Sequence, residues 1–128
     1  MSSDLSLTIL SGRLAVCRLP AEAQIPDWAH SGELSAIVRT GDELSIVCEQ
    51  TSVPAQIKAE KNWRAFKVQG PLEFSQVGVL AALAQPLAQA GVSIFAVSTY
   101  DTDYVLVKEH SINQVVQVLR QSGFTVFT

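Results

Sequence analysis

From Arg64 to Thr128 the hydrophobic pattern changes period in an order that few folds accommodate. Arg64 to Gln69 alternates, with Ala65, Phe66 and Val68 apolar, and Gly70-Pro71 stops the run. Ser75 then offers a cap for a helix in which Val77, Leu80, Ala81, Ala84, Leu87 and Ala88 recur at helical spacing, closed by Gly91. Val92 to Ser98 and Tyr104 to Lys108 are β-rich and read as a hairpin around Thr99-Tyr100-Asp101-Thr102-Asp103. The capping-box spacing Ser111-x-x-Gln114 opens a second helix that carries Ile112, Val115, Val116 and Leu119 on one face and ends at Gly123. Phe124 to Phe127 supplies the last strand. The order is βαββαβ, which predicts an α+β, ferredoxin-like unit with both helices on one face of an antiparallel sheet.

The first half of the chain echoes the second. An offset of 60 brings Leu34–Thr40 under Ile94–Tyr100 and Glu43–Glu49 under Asp103–Glu109, with Pro26 under Pro86 and residues 4–9 under 64–69. One constant offset serving four segments points to a duplication. The first copy is degenerate, because Arg13 to Leu19 alternates like a strand and only Pro26 to His30 offers a helical turn. Thr51 to Asn62 is polar and reads as a short exposed helix or a linker. The expected organisation is a degenerate subdomain at 1–62 and a complete unit at 63–128, in tandem. Exposed sheet edges in such units are satisfied by a neighbouring copy, so a homodimer is expected.

Composition narrows the function. With 48% hydrophobic and 16% charged residues the chain has material for a substantial core, in one domain or two small ones. The formal charge of −3 and the scattered Lys and Arg leave no basic stripe for nucleic acid. No apolar run approaches the roughly 20 residues that cross a bilayer, and the start Met1-Ser2-Ser3-Asp4 lacks a signal peptide's positive charge, so a cytoplasmic location is expected. Cys17 and Cys48 sit in alternating apolar runs without CxxC spacing, and His30 and His110 lie far apart. Both cysteines are expected to be reduced structural thiols, and no metal or cofactor is expected. Trp28 and Trp63 read as core or interface residues, and Pro86 as a kink or a late helix start. No nucleophile motif, HExxH, Walker loop or GxGxxG appears, so no enzymatic activity is expected.

Two features suit a small zwitterion. At the helix entry Ser75-Gln76-Val77-Gly78-Val79, unpaired backbone N–H groups and the helix dipole favour a carboxylate. In the loop Thr99 to Asp103, two carboxylates and the hydroxyls accept hydrogen bonds from an ammonium group. The bland readings of the same residues are a helix cap at Ser75, helix packing at Gly78 and turn formation at Asp101 and Asp103, with Tyr100 covering the sheet end. The β-to-α connection and the hairpin turn need not adjoin within one copy, so a complete pocket is expected to need a neighbour.

The string from Gly78 to Val107, above all Gly91-Val-Ser-Ile94 followed by Ser98-Thr-Tyr-Asp-Thr-Asp-Tyr104, resembles the ACT domain family. More narrowly it resembles the small bacterial tandem-ACT proteins related to the CASTOR cytosolic arginine sensors. The match covers residues 64–128, and Leu14–Leu19, Pro26–Trp28 and Thr40–Val47 look like the family's first copy. The resemblance implies a regulatory module that binds an amino acid without catalysis and acts through a protein target. It implies that Asp103, flanked by Thr99, Tyr100 and Asp101, holds the ligand's amino group. Ser75, Val77, Gly78 and Val79 would receive its carboxylate. The alternative is a protein-interaction or assembly module with a vestigial ligand site. Animal sensors have two such pairs where this chain has one, so a site formed between pairs would require a dimer.

Overall fold

Alternating strands and two amphipathic helices leave each half of the chain with an apolar face to bury, and each half does so around its own core. The computed structural model describes residues 5–70 and 78–128, which fall into two compact units: residues 5–10 with 64–128, and residues 11–63.

The first unit contains β1 (Ser6–Ile9), the second half of β5 (Lys58–Val68), α1 (Val79–Gln89), β6 (Ile94–Ser98), β7 (Asp103–Lys108), α2 (Ile112–Gln121) and β8 (Thr125–Phe127). Its strands lie in the order β6-β7-β5-β1-β8. The hairpin β6–β7 is antiparallel, with Ile94 opposite Val107 and Ser98 opposite Asp103. Leu7, Phe66, Val68, Val105, Val107 and Val126 from the sheet form one buried cluster with Val79, Leu83, Leu87, Val115 and Leu119 from both helices. Both helices therefore cover the same sheet face. At roughly 1.5–3 kcal/mol for each large aliphatic side chain taken from water, this cluster is the unit's main stabilising term.

The βαββαβ order is present, with one addition. β1 pairs antiparallel with β5 (Leu7 opposite Val68) and parallel with β8 (Leu7 opposite Val126), so it stands between the unit's first and last strands. Division at 62/63 had grouped this strand with the N-terminal subdomain, and the repeat had made residues 4–9 the counterpart of 64–69. Instead Ser6–Ile9 is a sheet neighbour of β5. Leu7, fully buried among Phe66 and Val68, is the physical reason.

The second unit holds β2 (Leu14–Leu19), a 3-10 turn at Asp27–His30, β3 (Ala36–Arg39), β4 (Leu44–Glu49), a 3-10 turn at Gln50–Ser52 and the first half of β5. All three strand pairs, in the order β3-β4-β2-β5, are antiparallel. Ala15, Cys17, Ala29, Leu44, Ile46 and Cys48 form its core. Lys58 to Asn62 is strand paired with β2, not a helix or linker, because Glu60, Ala59 and Lys58 lie in register with Val16, Cys17 and Arg18.

The two hairpins correspond in register, at an offset of 59 and not 60. Arg39 faces Leu44 as Ser98 faces Asp103, and the 3-10 turn at Gln50–Ser52 stands where Glu109–Ser111 stands. One residue matters here, since a slip of one moves every side chain to the other face of the sheet.

Both helices stop where expected. Gly91 and Gly123 take left-handed φ of +77° and +100°, and the next amides, Val92 and Phe124, reach back to Leu87 O at 2.9 Å and Leu119 O at 3.0 Å. Their starts differ from expectation. α1 begins at Val79 with Gly78 as its N-cap, and Ser75, the expected cap, lies outside the described residues. The capping box at Ser111 does not form, because the 3-10 turn Glu109–Ser111 runs straight into α2 and leaves Ser111 at helical φ and ψ, where its hydroxyl cannot fold back. Gln114 Nε2 donates instead to Ala90 O at the end of α1, at 3.2 Å. Pro86 lies within α1, which continues to Gln89.

Candidate functional site

A threonine closes each hairpin turn. In the first unit Thr99 N–H donates to Thr102 O at 2.8 Å, Thr99 Oγ1 donates to the same carbonyl at 2.9 Å, and Thr102 N–H donates to Thr99 Oγ1 at 3.2 Å. In the second unit Thr40 N–H donates to Glu43 O at 2.9 Å, and Asp42 and Glu43 N–H donate to Thr40 Oγ1. These side chains do what short polar turn residues do, which is to replace missing ladder bonds.

The two turns part company at their fourth residue and at the strand pair beneath. Thr102 is 5% exposed, and its hydroxyl donates to Val68 O at 2.6 Å. Val68 is the last residue of β5, from which the chain leaves toward α1. The bond therefore places the turn carrying Thr99, Tyr100, Asp101 and Asp103 beside that exit, within one unit. The contact brings the turn to the end of β5, while residues 71–77 of the β-to-α connection lie outside the described residues. β7 pairs with β5, and the contact sets the end of β5 and the start of β7 at the same end of the sheet.

Asp103 sits at the head of β7 rather than in the loop, half-buried, and accepts a hydrogen bond from Ser98 Oγ at 2.7 Å on Oδ1. Asp101 is exposed, and Tyr100 is 82% exposed at the tip of the turn. At the corresponding positions of the second unit stand Arg39 and Leu44. Leu44 is fully buried, and Arg39 holds the Ala21 and Ala23 carbonyls, the latter at 2.8 Å. The carboxylate belongs to the second copy alone.

Of the helix-entry residues, Ser75 and Val77 lie outside the described residues. Gly78 is exposed at φ +83°, and nothing would meet a Cβ there within 4 Å. Val79 turns its side chain into the core at 7% exposure, so only its backbone is available to a ligand. The first-turn amides of α1 are of the kind that an intrahelical ladder leaves unpaired. Ser98 and Thr102 were not singled out as site residues from the sequence. The shared spacing Thr40-x-x-Glu43 and Thr99-x-x-Thr102 was the available signal, hidden by the offset of 60.

The remaining chemistry is structural. Cys17 and Cys48 are free, buried thiols, and burial, chiefly, pushes Cys17 up to about 11 and Cys48 upward as well. Among the described residues no three of His, Cys, Asp and Glu gather as metal ligands, and no helix is long and apolar enough to cross a membrane.

Strand order and helix placement define a ferredoxin-like α+β protein. A family model of the ACT domain matches residues 58–121, and a second model, describing an N-terminal domain, matches residues 12–56. The chain belongs to the ACT domain family. It is 42% identical over 64 residues to the human cytosolic arginine sensor for mTORC1 subunit 1, which covers 48% of this chain and 20% of that protein. The match thus spans about a fifth of the length of such curated relatives. Over the whole fold the chain is similar to a crystallised Agobacterium tumefaciens protein, at 36% identity and a TM-score of 0.91, covering 96% of this chain and 92% of that one. The ligand-free regulatory subunit of aspartate kinase from Thermus thermophilus shares the fold, with a TM-score of 0.60 at 10% identity over 93% of this chain and 94% of that one.

Proposed function

We propose that this chain is a cytoplasmic, non-catalytic regulatory module that binds a free amino acid. The ligand's carboxylate lies on the backbone amides at the entry to α1, around Ser75, Val77, Gly78 and Val79. Its ammonium group is held by Asp103, with Thr99, Tyr100 and Asp101 beside it. The observation that carries this reading is the Thr102 Oγ1 bond to Val68 O, which sets the anionic hairpin end beside the chain's exit toward α1. A zwitterion needs both features within a few ångströms of each other. Kinship with an arginine sensor and a likeness in fold to an aspartate kinase's regulatory subunit support the amino-acid class.

A second copy of the chain completes the pocket in this reading, and the bound state is passed to a protein target. The test is a thermal-shift screen of the purified protein against the twenty amino acids. A ligand at 100 times its Kd stabilises the native state by about 2.7 kcal/mol. The expected result is a selective rise with one amino acid that disappears in Asp103→Ala, while the variant stays folded.

The alternative is an interaction or assembly module with a vestigial site. The observation in its favour is Tyr100, a large aromatic exposed at the tip of the same turn. A flat screen, together with a dimer or partner complex that Tyr100→Ala disrupts, would establish it.

A further inference from the structure

A second concave surface lies in the first unit, at the far end of the sheet from the hairpin turn. It is a groove of about 700 Å³ along α2, walled by Ile112, Asn113, Val116, Gln117, Arg120 and Gln121, with Ile9, Arg64 and Thr128 across from them. Arg64 stands four residues before Val68 on β5, roughly 13 Å away at strand rise, so the groove is separate from the turn held by Thr102.

Its volume is that of a small-molecule site. The charged side chains that line it have one sign. Two guanidinium groups line it, and no acidic side chain does among the described residues, in a chain of net charge −3. Both guanidinium groups are anchored by the fold: Arg64 Nη2 donates to Leu10 O at 3.0 Å, and Arg120 Nη2 to Val126 O at 2.7 Å. Each bond engages one edge of a planar, five-donor group, and neither arginine has an acidic side-chain partner among the described residues. Anchored arginines of this kind meet an anion without first losing side-chain freedom. The carboxamides of Asn113, Gln117 and Gln121 add neutral donors and acceptors. Ile9, Ile112 and Val116 add an apolar wall.

We infer that this groove is a second ligand site, which takes a small organic anion bearing a carboxylate or phosphate on a short apolar body. The two arginines hold the charge, and the isoleucines with Val116 cover the apolar part. The site does not depend on the amino-acid reading, because none of its residues lies near Asp103 in the fold.

The test is an amide-resolved NMR titration of the full chain with phenyl phosphate, and separately with benzoate, in chloride-poor buffer. Saturating shifts confined to α2 and to residues 9, 64 and 128, with a Kd on the order of 1 mM or tighter, are expected with one of the two acids, which also names the acid group. Arg120→Gln should weaken that binding about tenfold or more, since charge-assisted bonds carry roughly 1.5–3 kcal/mol. Gln117→Glu touches neither arginine's backbone bond and should weaken it similarly, so the test stands even where Arg120→Gln does not fold. Shifts that stay linear with both acids, that map to residues 99–103, or that persist undiminished in Gln117→Glu would overturn the site.

Discussion

Ser98 Oγ donates a 2.7 Å hydrogen bond to Asp103 Oδ1 across the pair that closes the β6–β7 hairpin. It fixes the rotamer of a carboxylate that has no counterpart in the second unit, where Leu44 stands. Ser98→Ala should leave the fold unchanged, since both side chains lie at the sheet end. Amino-acid affinity should fall roughly 2- to 10-fold, the usual worth of one hydrogen bond. Isothermal calorimetry with the amino acid found in the thermal screen measures this, and unaltered affinity would remove Ser98 from the site.

Thr102→Val tests the bond between turn and strand. Valine fills the same space but leaves the Val68 carbonyl without its donor in a buried setting, at a cost of about 1–3 kcal/mol. Urea denaturation should show the loss in the midpoint with the slope preserved. Ligand binding should weaken in the same variant at temperatures where it is fully folded, because the turn is no longer held to β5.

Gly32 and Gly91 stand at equivalent positions and both have left-handed φ, at +95° and +77°. Their surroundings differ. A Cβ on Gly91 would meet nothing within 4 Å, whereas on Gly32 it would lie 3.1 Å from Glu49 Cβ and 3.2 Å from Glu49 N. Gly91→Ala should therefore cost only the backbone term, about 1–2 kcal/mol. Gly32→Ala should cost measurably more, because Glu49 backbone must shift. Equal midpoints in urea would contradict that ordering.

Burial holds the Cys17 thiol at about 11, against an ordinary value of 9.0. In the unfolded chain the thiol ionises first, so above pH 9 the unfolded state carries fewer protons and gains on the native state. The stability contribution of a raised acid is thus complete below pH 9 and declines as pH rises toward 11. Cys17→Ala should flatten the fall in melting temperature over this window relative to wild type. In native buffer at neutral pH, both thiols should resist iodoacetamide until urea exposes them.

Periodicity alone was enough for the hairpins, the two helices with their glycine ends, and the α+β class, because each is a local pattern that one face of apolar residues enforces. The helix starts were not legible. Ser111 has the right chemistry for a cap, yet a cap depends on the backbone conformation before it. At Ser111 the preceding 3-10 turn had already imposed helical angles. The offset of 60 failed by one for a related reason: sequence similarity scores apolar residues on either face alike, while pairing across a sheet distinguishes them.

Which residues carry apolar bulk, where the chain turns, and that one copy bears Asp103 were written in the sequence. Tertiary structure decided the rest. It inserted Ser6–Ile9 beside β5, where Leu7 is fully buried in the C-terminal unit's core. It joined Thr102 to Val68, residues 34 apart, because the pairing of β7 with β5 brings the end of one strand to the start of the other. It also gathered Arg64 and Arg120 on one groove, a proximity that depends on how α2 lies over the sheet and has no local signature.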